Sequence, residues 1–182
     1  NILKNSDFQG VDNIYFPQGG KIGLLSLNNI AHFPENFDLS AFGSVGYLSA
    51  DGSFFARNRM LPEKVSTIVV NRYRNSSRML DFSSVTEAKE VRFVLSNLEY
   101  LQQIKFPEKV ERIVLNIPGL ENVTFRRSDN YGTLRELFLP PEMKGRPVDA
   151  VLQNSKVKIY YGAKPVSTAA RIFNRIKEKI GR

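Results

Sequence analysis

The sequence predicts an α/β or mainly β repeat fold, a solenoid of about seven coils whose short strands stack into one parallel sheet, closed at its C-terminal end by an amphipathic helix. Three observations carry that expectation. An apolar, strand-like segment returns seven times between Ile22 and Tyr161 at intervals of 20 to 24 residues. Prolines follow apolar residues at matching places along the chain, and the last stretch changes to helical spacing.

Six copies fit apolar, two variable, apolar, variable, apolar: Ile22-Gly-Leu-Leu-Ser-Leu27, Phe42-Gly-Ser-Val-Gly-Tyr47, Val65-Ser-Thr-Ile-Val-Val70, Ala88-Lys-Glu-Val-Arg-Phe93, Val110-Glu-Arg-Ile-Val-Leu115 and Leu134-Arg-Glu-Leu-Phe-Leu139. The seventh, Val157-Lys-Ile-Tyr-Tyr161, is truncated but arrives on the same beat. A unit of this length is one supersecondary turn that buries its apolar face only against its neighbours.

Between the strands a second apolar series recurs, at Val11–Phe16, Leu80–Phe82, Leu101–Phe106 and Leu120–Phe125. Proline stands directly after an apolar residue at Phe16-Pro17, Phe33-Pro34, Leu61-Pro62, Phe106-Pro107 and Leu139-Pro140. Proline cannot donate to a strand ladder, so each pair stops a strand and turns the chain. Two of these corners, Pro62-Glu-Lys-Val-Ser-Thr-Ile-Val-Val-Asn71 and Pro107-Glu-Lys-Val-Glu-Arg-Ile-Val-Leu-Asn116, are near copies set 45 residues apart, about two periods.

The expected organisation is one solenoid domain over 1–182, with irregular N-terminal repeats over 1–60, regular repeats over 61–162 and a capping helix over 163–182. In that last stretch Ser167 is a suitable N-cap, and Val166, Ala169, Ala170, Phe173, Ile176 and Ile180 follow at spacings of three and four. The absence of an initiating methionine suggests a piece of a longer protein.

The formal charge is +8, and residues 151–182 carry eight Lys/Arg against one Asp/Glu. The surplus therefore belongs to the expected cap, where basic residues solubilise the face opposite the apolar stripe. Contact of that helix with a membrane surface or an acidic partner is a lesser reading. Nucleic acid is disfavoured because the charge is terminal and lacks interleaved aromatics. With no cysteine, the chain forms no disulfide, thiolate nucleophile or cysteine-ligated zinc.

No motif points to chemistry. The single histidine, His32, cannot make a multi-histidine metal site, and Gly19-Gly20-Lys21 lacks the spacing of a phosphate-binding loop and reads as a turn. Carboxylates stand beside basic residues, as in Glu63-Lys64, Lys89-Glu90 and Glu111-Arg112, a pattern that suits solvated ion pairs of small value. The expectation is a chain without enzymatic activity, cofactor or small-molecule substrate.

Function is better sought on the outer positions of the strands. If the apolar positions point inward, the residue between the last two points out, giving Ser26, Gly46, Val69, Arg92, Val114, Phe138 and either Lys158 or Tyr160. Stacked strands set such residues in a column about 4.8 Å apart. Val69, Val114 and Phe138 on a solvent-facing sheet suggest a contact surface, so Val69, Arg92, Val114, Phe138 and Tyr160 are the candidate partner-binding residues. The plain alternative is that β-branched and aromatic residues simply favour strands, or that another part of the chain covers them.

Leu101-Gln-Gln-Ile-Lys-Phe-Pro107 and Leu134-Arg-Glu-Leu-Phe-Leu-Pro140 resemble the strand-and-proline element of BspA-like bacterial leucine-rich repeats, and Asn154-Ser-Lys-Val-Lys-Ile-Tyr-Tyr-Gly162 resembles the way such arrays end. The resemblance covers about residues 60–175; the alanine-phenylalanine-x-x-cysteine element usual in those repeats is absent. It implies a leucine-rich-repeat solenoid serving as a non-catalytic protein-protein interaction module of a bacterial secreted, cell-surface or effector protein delivered into a host cell, with a host protein as one possible partner. Two alternatives stay open: the substrate-recognition domain of a larger effector enzyme such as a ubiquitin ligase, and a carbohydrate-active parallel β-helix, which shares the period.

Overall fold

In a parallel sheet each strand must be followed by a crossover of a dozen or more residues, and the interval of this repeat supplies one. The computed structural model describes residues 9–10, 14–30, 32–34, 37–57, 60–72, 79–94, 103–117, 131–146 and 156–162. Over these the chain is a parallel-sheet β-solenoid of about four turns with few helices. Seven strands pair in chain order: β1 (Lys21–Leu27), β2 (Ser44–Asp51), β3 (Lys64–Asn71), β5 (Glu87–Val94), β7 (Lys109–Asn116), β8 (Glu136–Leu139) and β9 (Lys158–Tyr161).

Across from this sheet the chain is less uniform. A short helix α1 (Gly52–Arg57) follows β2, and β4 (Met79–Asp81) pairs in parallel with β6 (Gln103–Lys105). Two turns on that side use the same device. The carboxylate of Asp38 accepts from the backbone N–H of Ser40 at 2.7 Å, and that of Asp81 accepts from Ser83 N–H at 2.9 Å. In each turn a backbone bond follows, Phe42 N–H to Leu39 O and Val85 N–H to Phe82 O. Such Asp-x-Ser turns satisfy a backbone donor that the end of a short segment would leave open.

Inside the coil, rows of apolar residues stack by register. Leu48, Ile68, Val91, Ile113 and Leu137 form one row, and Ala50, Val70, Phe93, Leu115 and Leu139 the next, all buried. Each valine, leucine or isoleucine in them contributes about 1.5–3 kcal/mol by leaving water. Between the two sides runs a chain of phenylalanine rings, from Phe42 through Phe16, Phe37 and Phe33 to Phe54, Phe55 and Phe82 and on to Phe93 and Phe106, with successive ring centroids 4.8 to 6.3 Å apart. The packing is mostly edge-on or tilted, the arrangement that aromatic quadrupoles favour.

The second copy is framed differently from the sequence expectation. Val45, Leu48 and Ala50 are its inward residues, so the copy reads Val45-Gly-Tyr-Leu-Ser-Ala50, three residues later than Phe42–Tyr47. Phe42 belongs to the preceding Asp-x-Ser turn, in the place that Val85 takes in a later coil. The shift also explains Gly46. It lies where the backbones of β1 and β2 approach so closely that a Cβ would stand 2.6 Å from the Gly23 carbonyl oxygen.

The turn expected at Gly19 is present, with φ of 73°. The second-series segment Leu120–Phe125 and the helix expected over 163–182 lie outside the described residues.

Candidate functional site

Alternation along each strand leaves two rows of side chains on the outer face. One row follows the register Leu24, Tyr47, Thr67, Glu90, Arg112, Glu136 and Lys158; the other follows Ser26, Ser49, Val69, Arg92, Val114, Phe138 and Tyr160. The five candidate residues Val69, Arg92, Val114, Phe138 and Tyr160 therefore share a single row. Gly46 does not belong to it, because Ser49 stands opposite Ser26 once the second copy is framed correctly. Register also decides between the two residues of the last copy: Tyr160 pairs with Phe138, and Lys158 pairs with Glu136 in the neighbouring row.

The row is not uniformly exposed. Val69 is 4% exposed and Phe138 5%, although both alternate to the outer side, while Val114 and Tyr160 are half-buried and Arg92 is exposed. Phe138 is covered in part by Tyr160, whose ring stacks on it with centroids 4.7 Å apart and planes at 12°. The expectation of three solvent-facing apolar residues is thus met at Val114 alone. Neighbours in register, rather than residues adjacent in sequence, decide how much of each side chain reaches water.

The row beside it holds an ion-pair ladder. Glu90, only 7% exposed, accepts from Arg92 Nη2 at 2.6 Å and from Arg112 Nη1 at 3.0 Å, and Arg112 Nε donates to Glu136 at 2.6 Å. Burial works to lower the affinity of Arg112 for its proton, but the hydrogen bonds to Glu90 and Glu136 outweigh it and hold the guanidinium above its ordinary value. Sequence neighbours such as Lys89-Glu90 suggested solvated pairs of adjacent residues. The bridges instead run largely across strands, because register partners lie about 4.8 Å apart and share a direction.

At the other end of the sheet a polar cluster forms beside the exposed Leu24 and Tyr47. Asn71 Nδ2 donates to Ser49 Oγ at 2.7 Å and to Asn28 Oδ1 at 3.0 Å, and Asn28 Nδ2 donates to Ser49 Oγ at 2.9 Å. Sequence reading missed this cluster because Asn28 and Asn71 stand 43 residues apart. The signal that would have found it is the Asp-x-Ser turn shared by Asp38 and Asp81, which fixes the frame of β2 and puts Ser49 between the two asparagines.

Two shallow grooves flank the ladder. One, of about 480 Å³, lies toward the strand ends and is lined by Arg92, Val94, Val114, Phe138, Pro140 and Pro141. The other, of about 450 Å³, lies toward the strand starts and is lined by Lys89, Glu111, Arg135, Lys156 and Lys158 among others. Glu90 and Arg112 form a wall common to both. His32 is exposed in the crossover between β1 and β2, and among the described residues no group of three or more His, Cys, Asp or Glu is placed to hold a metal ion. No family model matches the chain, and no curated protein or solved structure matches it.

Proposed function

We propose that the chain is a non-catalytic recognition module that binds a protein partner through the outer face of its parallel sheet. The observation that carries this reading is the placement of Arg92, Val114, Phe138 and Tyr160 in one register row beside an open groove of about 480 Å³. Half-buried Val114 and Tyr160 beside Arg92 have the mix of apolar, aromatic and arginine side chains found at the centre of protein interfaces. The ladder from Arg92 to Glu136 gives the surface a fixed shape, so little side-chain entropy is lost when a partner docks.

The reading extends to a leucine-rich-repeat array of about seven coils, capped by the amphipathic segment 163–182. It is supported by the seven strands pairing in chain order and by Ile159 and Tyr161 of the final coil, which are less buried than Leu137 and Leu139, their register partners in the coil before. The resemblance to BspA-like repeats supports a place in a bacterial secreted, surface or effector protein.

A photo-crosslinking amino acid at Tyr160 tests the face. A discrete adduct from Tyr160, with none from the same group at Met79 on the opposite side, is the expected result in the native setting. An adduct formed only from Met79 would put the partner on the wrong side of the coil and end the proposal.

A further inference from the structure

We infer that the segment captured by this face is an acidic stretch of a partner protein bearing a large apolar residue; the inference rests on the reading of the outer face as a binding surface. It starts from how the charges are spent. Glu90 is held by Arg92 and Arg112, and Glu136 by Arg112, so the ladder satisfies its own charges and takes both carboxylates of its row out of play. What remains around the groove at the strand starts is Lys89, Arg135, Lys156 and Lys158 against Glu111. Among the described residues no ion pair reaches Lys89, Lys156 or Lys158, and the Arg135 guanidinium donates to the Gly132 carbonyl oxygen rather than to a carboxylate.

The last coil sharpens this surplus. Register sets Lys158 level with Glu136, which puts Lys156 where the earlier coils carry an inward apolar residue such as Val110 or Leu134. Lys156 is exposed instead, and the final coil so adds two cations to one groove. A concave site with a surplus of one sign of charge concentrates ligands of the opposite sign.

The groove does not stand alone. Glu90 and Arg112 also bound the apolar depression that holds Val114 and Phe138. A segment seated with its carboxylates over the lysines therefore has an apolar pocket next to it, across the ladder. That pairing favours a protein segment over a nucleic acid. Phosphate recognition spreads contacts along a backbone, typically six to ten for a DNA-binding surface by the usual counterion arithmetic, about twice the free cations this groove offers.

The test is a random peptide library displayed on phage and panned on the immobilised chain. Enriched peptides are expected to be rich in Asp and Glu around an aromatic or aliphatic residue. Resynthesised with a fluorescent label, they are expected to bind about tenfold more weakly to the double variant Lys156→Glu/Lys158→Glu, and equally well to Lys21→Glu at the far end of the sheet. Both lysines are exposed, so the double variant keeps the fold, which circular dichroism checks. Enriched peptides that are neutral or basic, or that bind the double variant as well as the parent, overturn the inference. A labelled single-stranded oligonucleotide that binds more tightly than the peptides does so too. Peptides blind to the lysines but displaced by Val114→Asp leave the binding face standing and remove only its acidic specificity; peptides blind to both changes remove the face as well.

Discussion

Arg112 reaches Glu90 across the strand gap, Nη1 to Oε2 at 3.0 Å, and Glu90 is buried to 7% exposure at the centre of the outer face. A carboxylate so placed is costly unless its partners remain. Replacing Arg112 with Ala leaves Glu90 with Arg92 alone and is expected to cost about 1–3 kcal/mol, read as a lower urea midpoint with an unchanged slope. The paired variant Glu90→Gln/Arg112→Met is expected to recover part of that loss. A midpoint for Arg112→Ala equal to the parent would show that the ladder contributes no stability.

Gly46 and Gly23 face each other across β1 and β2 but differ in space. A methyl group on Gly46 would collide with the Gly23 carbonyl oxygen at 2.6 Å, whereas one on Gly23 meets nothing within 4 Å. Gly46→Ala is expected to lose about 1–3 kcal/mol, and Gly23→Ala to stay within about 0.5 kcal/mol of the parent. Thermal unfolding of the two variants side by side checks the contrast.

The ring chain predicts where the core is least replaceable. Phe82 is fully buried and contacts Phe55 and Phe93 at 5.2 and 6.2 Å between centroids, linking the two sides of the coil. Phe82→Ala is expected to cost about 3–5 kcal/mol, and Phe82→Leu less. Tyr15, which is largely exposed, serves as the control, with Tyr15→Ala nearly neutral in the same denaturation series.

Asp81 supplies a pH dependence. Burial tends to raise its proton affinity, but hydrogen bonds from the Ser83 hydroxyl and backbone N–H, with Lys105 at 3.0 Å, bring the carboxyl below its ordinary 3.8. The folded state then binds fewer protons than the unfolded state, so this group's stabilisation is complete above the ordinary value and is lost as the pH falls through the lower folded one. The half-exposed Lys105 limits the ion pair to at most about 1 kcal/mol. The stability gap between parent and Asp81→Asn is expected to be constant from about pH 5 to 7 and to close in acid; a gap that persists in acid contradicts the assignment.

Among the face residues the structure separates binding from stability. Val69→Ser and Phe138→Ser remove nearly inaccessible side chains and are expected to destabilise, Phe138→Ser by about 3 kcal/mol or more. Val114→Asp changes a group that reaches water and is expected to keep the unfolding midpoint closer to the parent while weakening the partner. Loss of binding confined to the two destabilised variants would mean the face acts only through the fold.

By itself the sequence determined that this chain repeats, that its strands run parallel and that residues such as Ile68, Val91 and Ile113 face inward. Those properties follow from local periodicity, since a residue pattern with a crossover in each interval leaves an apolar row no other partner than the next coil. The tertiary structure alone decided what lies beside what. Whether Gly46 or Ser49 stands opposite Ser26, whether Lys158 or Tyr160 continues the row of Phe138, and that Glu90 is held by Arg112 rather than by the adjacent Lys89 all depend on lateral register between residues more than twenty apart. A slip of the frame in one coil leaves the apolar rhythm nearly intact and exchanges every outer neighbour. For that reason the core was legible in the sequence, and the surface that gives the molecule its proposed function was only partly so.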